Sequence, residues 1–94
     1  MSSQDGIRQQ KVEVVNRAGL HARPAAELVK LAGSFRSEIH VEKDGLRVNG
    51  KSIMGVLMLA AEQGSELTLT ADGQDAEEAI RALTELVRRG FEEE

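Results

Sequence analysis

An imidazole and a guanidinium stand two positions apart in Gly19-Leu20-His21-Ala22-Arg23-Pro24-Ala25-Ala26. A neutral imidazole is a nucleophile, and the pair together could take up and steady a phosphoryl group. The segment opens a stretch with helical spacing, so His21 lies at a helix start. Free amides point outward there and the helix dipole is positive, so a phosphate on His21 would be met by backbone donors. The same field favours the neutral ring before transfer and the dianion after it. Pro24 is tolerated in a first turn, but it disfavours helical geometry at Arg23 and blurs the exact start. Read alone, a histidine beside a helix start is more often a cap or a surface residue. The second histidine, His40, alternates with Ile39 and Val41 on the wet face of a strand and is assigned no role.

The elements that position His21 follow from periodicity. Val12 with Val14, Ile39 with Val41, Leu46 with Val48 and Leu67 with Leu69 alternate with polar neighbours and predict four short strands, apolar on one face. Lys43-Asp44-Gly45-Leu46 supplies a two-residue turn that sets Val41 opposite Val48. A first helix over 22–32 turns Ala25, Leu28, Val29 and Ala32 inward, and Gly33 ends it. A last helix carries Ala76, Ala79, Ile80, Leu83, Leu86 and Val87 on one stripe, with Asp75 and Glu78 as a capping pair and Gly90 as the stop.

The middle helix, over 52–61, is different, because Ile53, Met54, Val56, Leu57, Met58 and Leu59 leave almost no polar face. A two-layer domain cannot bury a helix all round. Part of this stretch is therefore either tucked under a loop or exposed as an apolar docking patch. Ser52 precedes it as a natural cap. The predicted fold is α+β, a two-layer open-faced sandwich whose four-stranded antiparallel sheet is covered on one face by three helices. It forms one domain over residues 9–91, between a flexible extension at 1–8 and an acidic tail at 92–94.

Composition narrows the function. Ninety-four residues suit one core rather than a large internal cavity. The chain has no cysteine, and two histidines alone cannot complete a metal shell. Sixteen acidic against twelve basic residues give a net charge of −4, and the only aromatics are Phe35 and Phe91, so neither nucleic acid nor an anionic membrane is favoured as partner. No signal peptide or membrane-length apolar run is present, which points to the cytoplasm.

The segment from Gly19 to Ala26 resembles the active-site motif of the HPr phosphocarriers of the bacterial phosphotransferase system. Val48-Asn49-Gly50-Lys51-Ser52-Ile53-Met54-Gly55-Val56 resembles the segment that carries the regulatory serine of that family, at the matching interval. The resemblance implies strand order 1-4-2-3, phosphorylation of His21 on Nδ1, and assistance by Arg23. It implies enzyme I as donor and an enzyme II A domain as acceptor. It further implies regulation at Ser52 by an HPr kinase/phosphorylase, docking through Ala22, Ile53, Met54 and Leu57, a monomer, and no cofactor. Such a chain is an intermediate in phosphoryl transfer rather than a stand-alone catalyst. The ending Arg89-Gly90-Phe91-Glu92-Glu93-Glu94 resembles nitrogen-branch relatives, which regulate rather than move sugar, whereas the Ser52 segment resembles the sugar branch. Two other classes use similar small sandwiches. An acylphosphatase-like enzyme needs a phosphate loop that is not found here, and an RNA-recognition or small-molecule regulatory module would leave His21 and Arg23 incidental.

Overall fold

The computed structural model describes residues 6–93. Its elements are β1 (Ile7–Glu13), α1 (Ala22–Gly33), β2 (Glu38–Lys43), β3 (Leu46–Asn49), α2 (Ile53–Met58), β4 (Glu66–Asp72) and α3 (Ala76–Arg88), followed by a 3-10 turn, Gly90–Glu92. The four strands form one antiparallel sheet in the order β1-β4-β2-β3. Val41 pairs with both Leu69 and Val48, and Val12 pairs with Leu67, so the apolar positions fall on one face. Asp44 and Gly45 both have positive φ, 51° and 86°, as a two-residue hairpin turn between twisted strands requires.

That apolar face makes the core. Ile39, Val41, Leu67, Leu69 and Ala71 are fully buried or nearly so against Ala25, Leu28 and Ala32 of α1 and Ala79, Leu83 and Val87 of α3. Val29 is only partly buried, at the margin of α1's stripe. The opposite face carries polar residues: Gln9 donates to Thr70 Oγ1 at 3.2 Å, and His40 Nδ1 lies 3.2 Å from the Arg47 guanidinium.

Several boundaries differ from those read in the sequence. The helix α1 runs one residue further, through Gly33, and Ser34 caps it. The middle helix is shorter, ending at Met58 instead of reaching Ala61. Leu59 and Ala61 are both buried. Two residues apart on a helix they would diverge by about 200°, so the chain leaves the helix, with Ala60 at φ 49°, to bury both. At the N-terminus Ile7 and Arg8 pair with Asp72 and Ala71, so the ladder begins inside the stretch read as a loose extension. Residues 1–5 of that extension, and Glu94 of the tail, lie outside the described residues. Glu92 and Glu93 are held rather than loose. Phe91 is buried, and the Glu93 amide donates to the Gly90 carbonyl at 2.9 Å.

The capping pair at the start of α3 is also corrected. Asp75 occupies the N-cap position, yet its side chain makes no capping bond. It turns instead to the loop before β2, accepting from the Arg36 amide at 2.8 Å, the Ser37 amide at 2.9 Å and the Ser37 hydroxyl. Three donors on one carboxylate outcompete a single amide of its own helix. The Ser37 hydroxyl, then the Arg36 amide, lower the pKa of Asp75 to about 2, against the opposing effect of desolvation.

A carboxyl whose pKa is depressed on folding stabilises above its unfolded value and loses that contribution as pH falls through the folded one. The Asp75 staple should therefore hold at pH 5 and fade between about pH 4 and pH 2. Asp75→Asn should lower Tm by several degrees at pH 6, and the difference between the two proteins in thermal melts should shrink steadily as pH falls from about 4 toward 2.

Candidate functional site

Gly19 sets the geometry of the helix mouth. At φ 72° it adopts a backbone conformation that other residues resist, and a Cβ there would lie 2.5 Å from the Ala61 carbonyl oxygen. The Leu20 amide donates to that same carbonyl at 2.8 Å, and buried Leu20 fixes the chain immediately before the histidine. The loop is thus pinned to the segment that leaves α2, and His21 emerges at the surface as the N-cap of α1.

The His21 backbone carbonyl accepts from the Ala25 amide at 2.9 Å, while its side chain makes no capping bond and stays free for other work. Pro24 is buried at the third helical position. It removes one of the donors that a helix start leaves unsatisfied, so the amides of Ala22 and Arg23 are the first-turn donors that face outward. No acidic residue lies in the first turn of α1. Ala22 and Arg23 are both exposed, and the Arg23 side chain keeps three-quarters of its surface.

The negative charge at the site comes from the far end of the chain. His21 Nε2 lies 3.2 Å from both carboxylate oxygens of Glu93, and Arg23 Nη1 lies 3.9 Å from Oε2. Asn16, 2% exposed, donates from Nδ2 to Glu93 Oε1 at 3.1 Å and to the Gly19 carbonyl at 2.8 Å. The His21 hydrogen bond holds the Glu93 carboxyl below its ordinary pKa, opposed by desolvation and reinforced by Asn16 and by the charges of His21 and Arg23. Among the described residues His21 Nδ1 has no hydrogen-bond partner.

Sequence reading brought together His21 and Arg23 but missed Glu93 and Asn16. In the sequence Glu93 is one of three consecutive glutamates. The only available signal was Phe91, an aromatic residue just beyond a helix stop, which buries itself and turns the following residues back toward α1.

The second motif lies on α2. The Ser52 hydroxyl accepts from the Gly55 amide at 3.1 Å, so the cap exists as expected. Val56 and Leu59 face the core, whereas Ile53, Met54, Leu57 and Met58 are exposed, Met54 by 69% and Met58 by 65%. Among the described residues no loop covers this surface, and Met58 extends the patch beyond Ile53, Met54 and Leu57. α1 packs against α2, so the patch and the His21 loop belong to neighbouring elements. Grooves over α3, between Gln10, Ile80, Thr84 and Arg88, and beside Asp75 lie elsewhere. No described helix is long and apolar enough to cross a membrane, and no described cluster of three or more acidic, histidine or cysteine side chains could hold a metal.

A four-stranded open-faced sandwich that presents one histidine at a helix mouth, beside an arginine and an uncovered apolar helix, defines the class of small phosphocarrier domains. The family described as "PTS HPr component phosphorylation site" matches residues 8–89, and the chain belongs to this HPr family of the phosphotransferase system. It is 49% identical over 84 residues to the phosphocarrier protein HPr of Neisseria meningitidis, covering 89% of this chain and 94% of that protein. It is 51% identical over 80 residues to the HPr-like protein Crh of Bacillus subtilis, covering 85% and 94%. HPr-C-His from Thermoanaerobacter tengcongensis superposes with a TM-score of 0.89 at 49% identity, over 93% of this chain and 98% of that one. An HPr dimer from the same organism, at 51% identity over 85% and 92% of the two chains, has a TM-score of 0.73. The monomer expected from the sequence is therefore not a general property of such chains.

Gly19→Ala should lower stability by about 2 kcal/mol, from the positive φ and the clash with Ala61 together. Thermal unfolding at neutral pH checks the loss.

Proposed function

We propose that this chain accepts a phosphoryl group from phosphorylated enzyme I on His21 Nδ1 and passes it to an enzyme II A domain. The observation that carries this reading is the exposed His21 ring at the mouth of α1, with unpartnered Nδ1 and the outward amides of Ala22 and Arg23 beside it. In the step, the Nδ1 lone pair attacks phosphorus as the bond from phosphorus to the donor's imidazole nitrogen breaks. The acceptor ring keeps its proton on Nε2. Arg23 swings from its long contact with Glu93 to the transferring oxygens, where a guanidinium stabilises developing charge. Because the group is only relayed, no water-positioning residue is needed, and the chain acts as an intermediate for its partners' chemistry in the cytoplasm.

The exposed side of α2, together with exposed Ala22 at the start of the neighbouring α1, is the docking surface in this reading. Ile53, Met54 and Leu57 offer apolar contact, and Met side chains adapt to different partners. Phosphorylation of Ser52 by an HPr kinase/phosphorylase would place a dianion beside that surface and impede docking by charge and desolvation. A second reading is a regulatory phosphocarrier that is not coupled to sugar uptake. The similarity to the HPr-like protein Crh and the nitrogen-branch character of the ending favour it.

Incubation with phosphoenolpyruvate, magnesium and the cognate enzyme I should add one acid-labile phosphate, read by mass, and His21→Ala should abolish it with the fold intact. Phosphate retained in that variant overturns the assignment. Arg23→Ala should slow transfer roughly tenfold with little change in affinity for enzyme I, measured by quench-flow and calorimetry. Ser52→Asp should weaken binding to enzyme I by roughly tenfold, and an unaltered Kd would remove α2 from the interface.

A further inference from the structure

Glu93 is brought to His21 from 72 residues away, and three features make it more than a chance neighbour. Both carboxylate oxygens are equidistant from Nε2, at 3.2 Å. The Glu93 side chain is 16% exposed against 42% for His21, so the carboxylate is largely shielded from solvent where it meets the ring's Nε2 edge. It is also held from behind by Asn16, a buried amide whose Oδ1 has no partner. An orphaned buried oxygen carries a desolvation cost. The orientation that accepts this cost is the one that aims Nδ2 at two acceptors, Gly19 O and Glu93 Oε1.

We infer that Glu93 is a positioning residue for phosphoryl transfer: its carboxylate holds the His21 ring in the Nε2–H tautomer and leaves the Nδ1 lone pair as the only one that can attack. This rests on the carrier reading above and deepens it. A neutral imidazole carries one ring proton, and the hydrogen bond made by one nitrogen decides which nitrogen has it. A carboxylate can only accept, so it selects the tautomer with hydrogen on Nε2. As the Nδ1–phosphorus bond forms, positive charge spreads over the ring. The Nε2–H bond to Glu93 then strengthens, so the contact stabilises the transition state more than the free ring.

The other charged groups around the carboxylate fit this role. Arg23, from α1, is the nearest other cation, at 3.9 Å, and its exposed side chain can leave for an incoming phosphate without undoing the His21 contact. Arg89, at the end of α3, is engaged with Glu92 at 3.8 Å, so it leaves Glu93 to the ring. Asn16, on the loop after β1, is uncharged and acts by donation alone.

The test starts on the unphosphorylated protein, so it does not depend on any partner. In 15N spectra above the titration range of imidazole, wild-type His21 should be nearly all in the Nε2–H tautomer. Glu93→Ala should move it toward the mixture of a free imidazole, and Glu93→Gln, whose amide oxygen can still accept, should restore most of the preference. A tautomer unchanged in Glu93→Ala overturns the inference. With enzyme I and phosphoenolpyruvate, Glu93→Ala should cut the rate at saturating carrier by roughly tenfold while KM stays within about twofold. A loss confined to KM would make Glu93 a docking contact and also overturn it. Amide spectra of the rest of the chain report whether the variant keeps its fold. If wild type accepts no phosphate but shows the tautomer preference, the carrier reading fails and the positioning contact stands.

Discussion

The arrangement of this domain depends on covering one face of a small sheet. Ile39, Val41, Leu67, Leu69 and Ala71 form a continuous apolar surface on β2 and β4 that water cannot be left against. In a chain of this length only α1 and α3 are long enough to cover it, through Leu28, Ala25 and Ala32 on one helix and Leu83, Ala79 and Val87 on the other. Once both helices lie across the sheet, the start of one and the end of the other are set by the connections at the sheet's ends. The segment after α3 returns to the loop after β1 through buried Phe91 and through Gly90, whose φ of 65° turns the chain where it meets Val15 and Asn16. His21 and Glu93 meet because core packing brings their helices to the same end of the molecule.

The site shows how a helix mouth can be kept available for an anion. The usual occupants of such a position, a capping hydroxyl or an acid in the first turn, are absent from α1. Either would satisfy the outward amides and repel a phosphate. The negative charge that does approach is set on the Nε2 side of the ring, where it contacts a proton donor rather than the free nitrogen. In the proposed function, charge of one sign is divided by the ring itself: the Glu93 carboxylate on the Nε2 side and an incoming phosphate on the Nδ1 side.

α2 shows the opposite compromise. Six residues give it little helical stability of its own. Four large apolar side chains remain in water, which gains nothing for the isolated fold. What holds it is local: the Ser52 cap at one end, Val56 and Leu59 in the core, and at the other end an abrupt exit at Ala60. The hydroxyl that caps the helix is also the group whose modification is proposed above, so in that reading one oxygen carries both roles. On α3, by contrast, the side chain with capping chemistry was drawn away. Asp75 binds the Ser37 loop because three donors converge there.

Local chemistry written in the sequence was sufficient for the parts of this protein governed by short-range rules. Alternation gave the strands, the Asp44-Gly45 pair gave the hairpin and its register, and helical spacing gave α1 and α3, because pleat, turn and helix periods act over a few residues. The position of His21 and Arg23 at a helix start was legible for the same reason. The family motifs added the strand order that periodicity alone leaves open. What needed the tertiary structure was every contact between distant segments. Glu93 beside His21, Asn16 beneath it, Asp75 on Ser37, the early end of α2 and the pairing of Ile7 with Asp72 all arise from packing, which joins residues that share no local pattern. A carboxylate in a run of glutamates has no feature that marks which one will meet the imidazole. That choice is made by where Phe91 is buried and where α1 and α3 come to rest on the sheet.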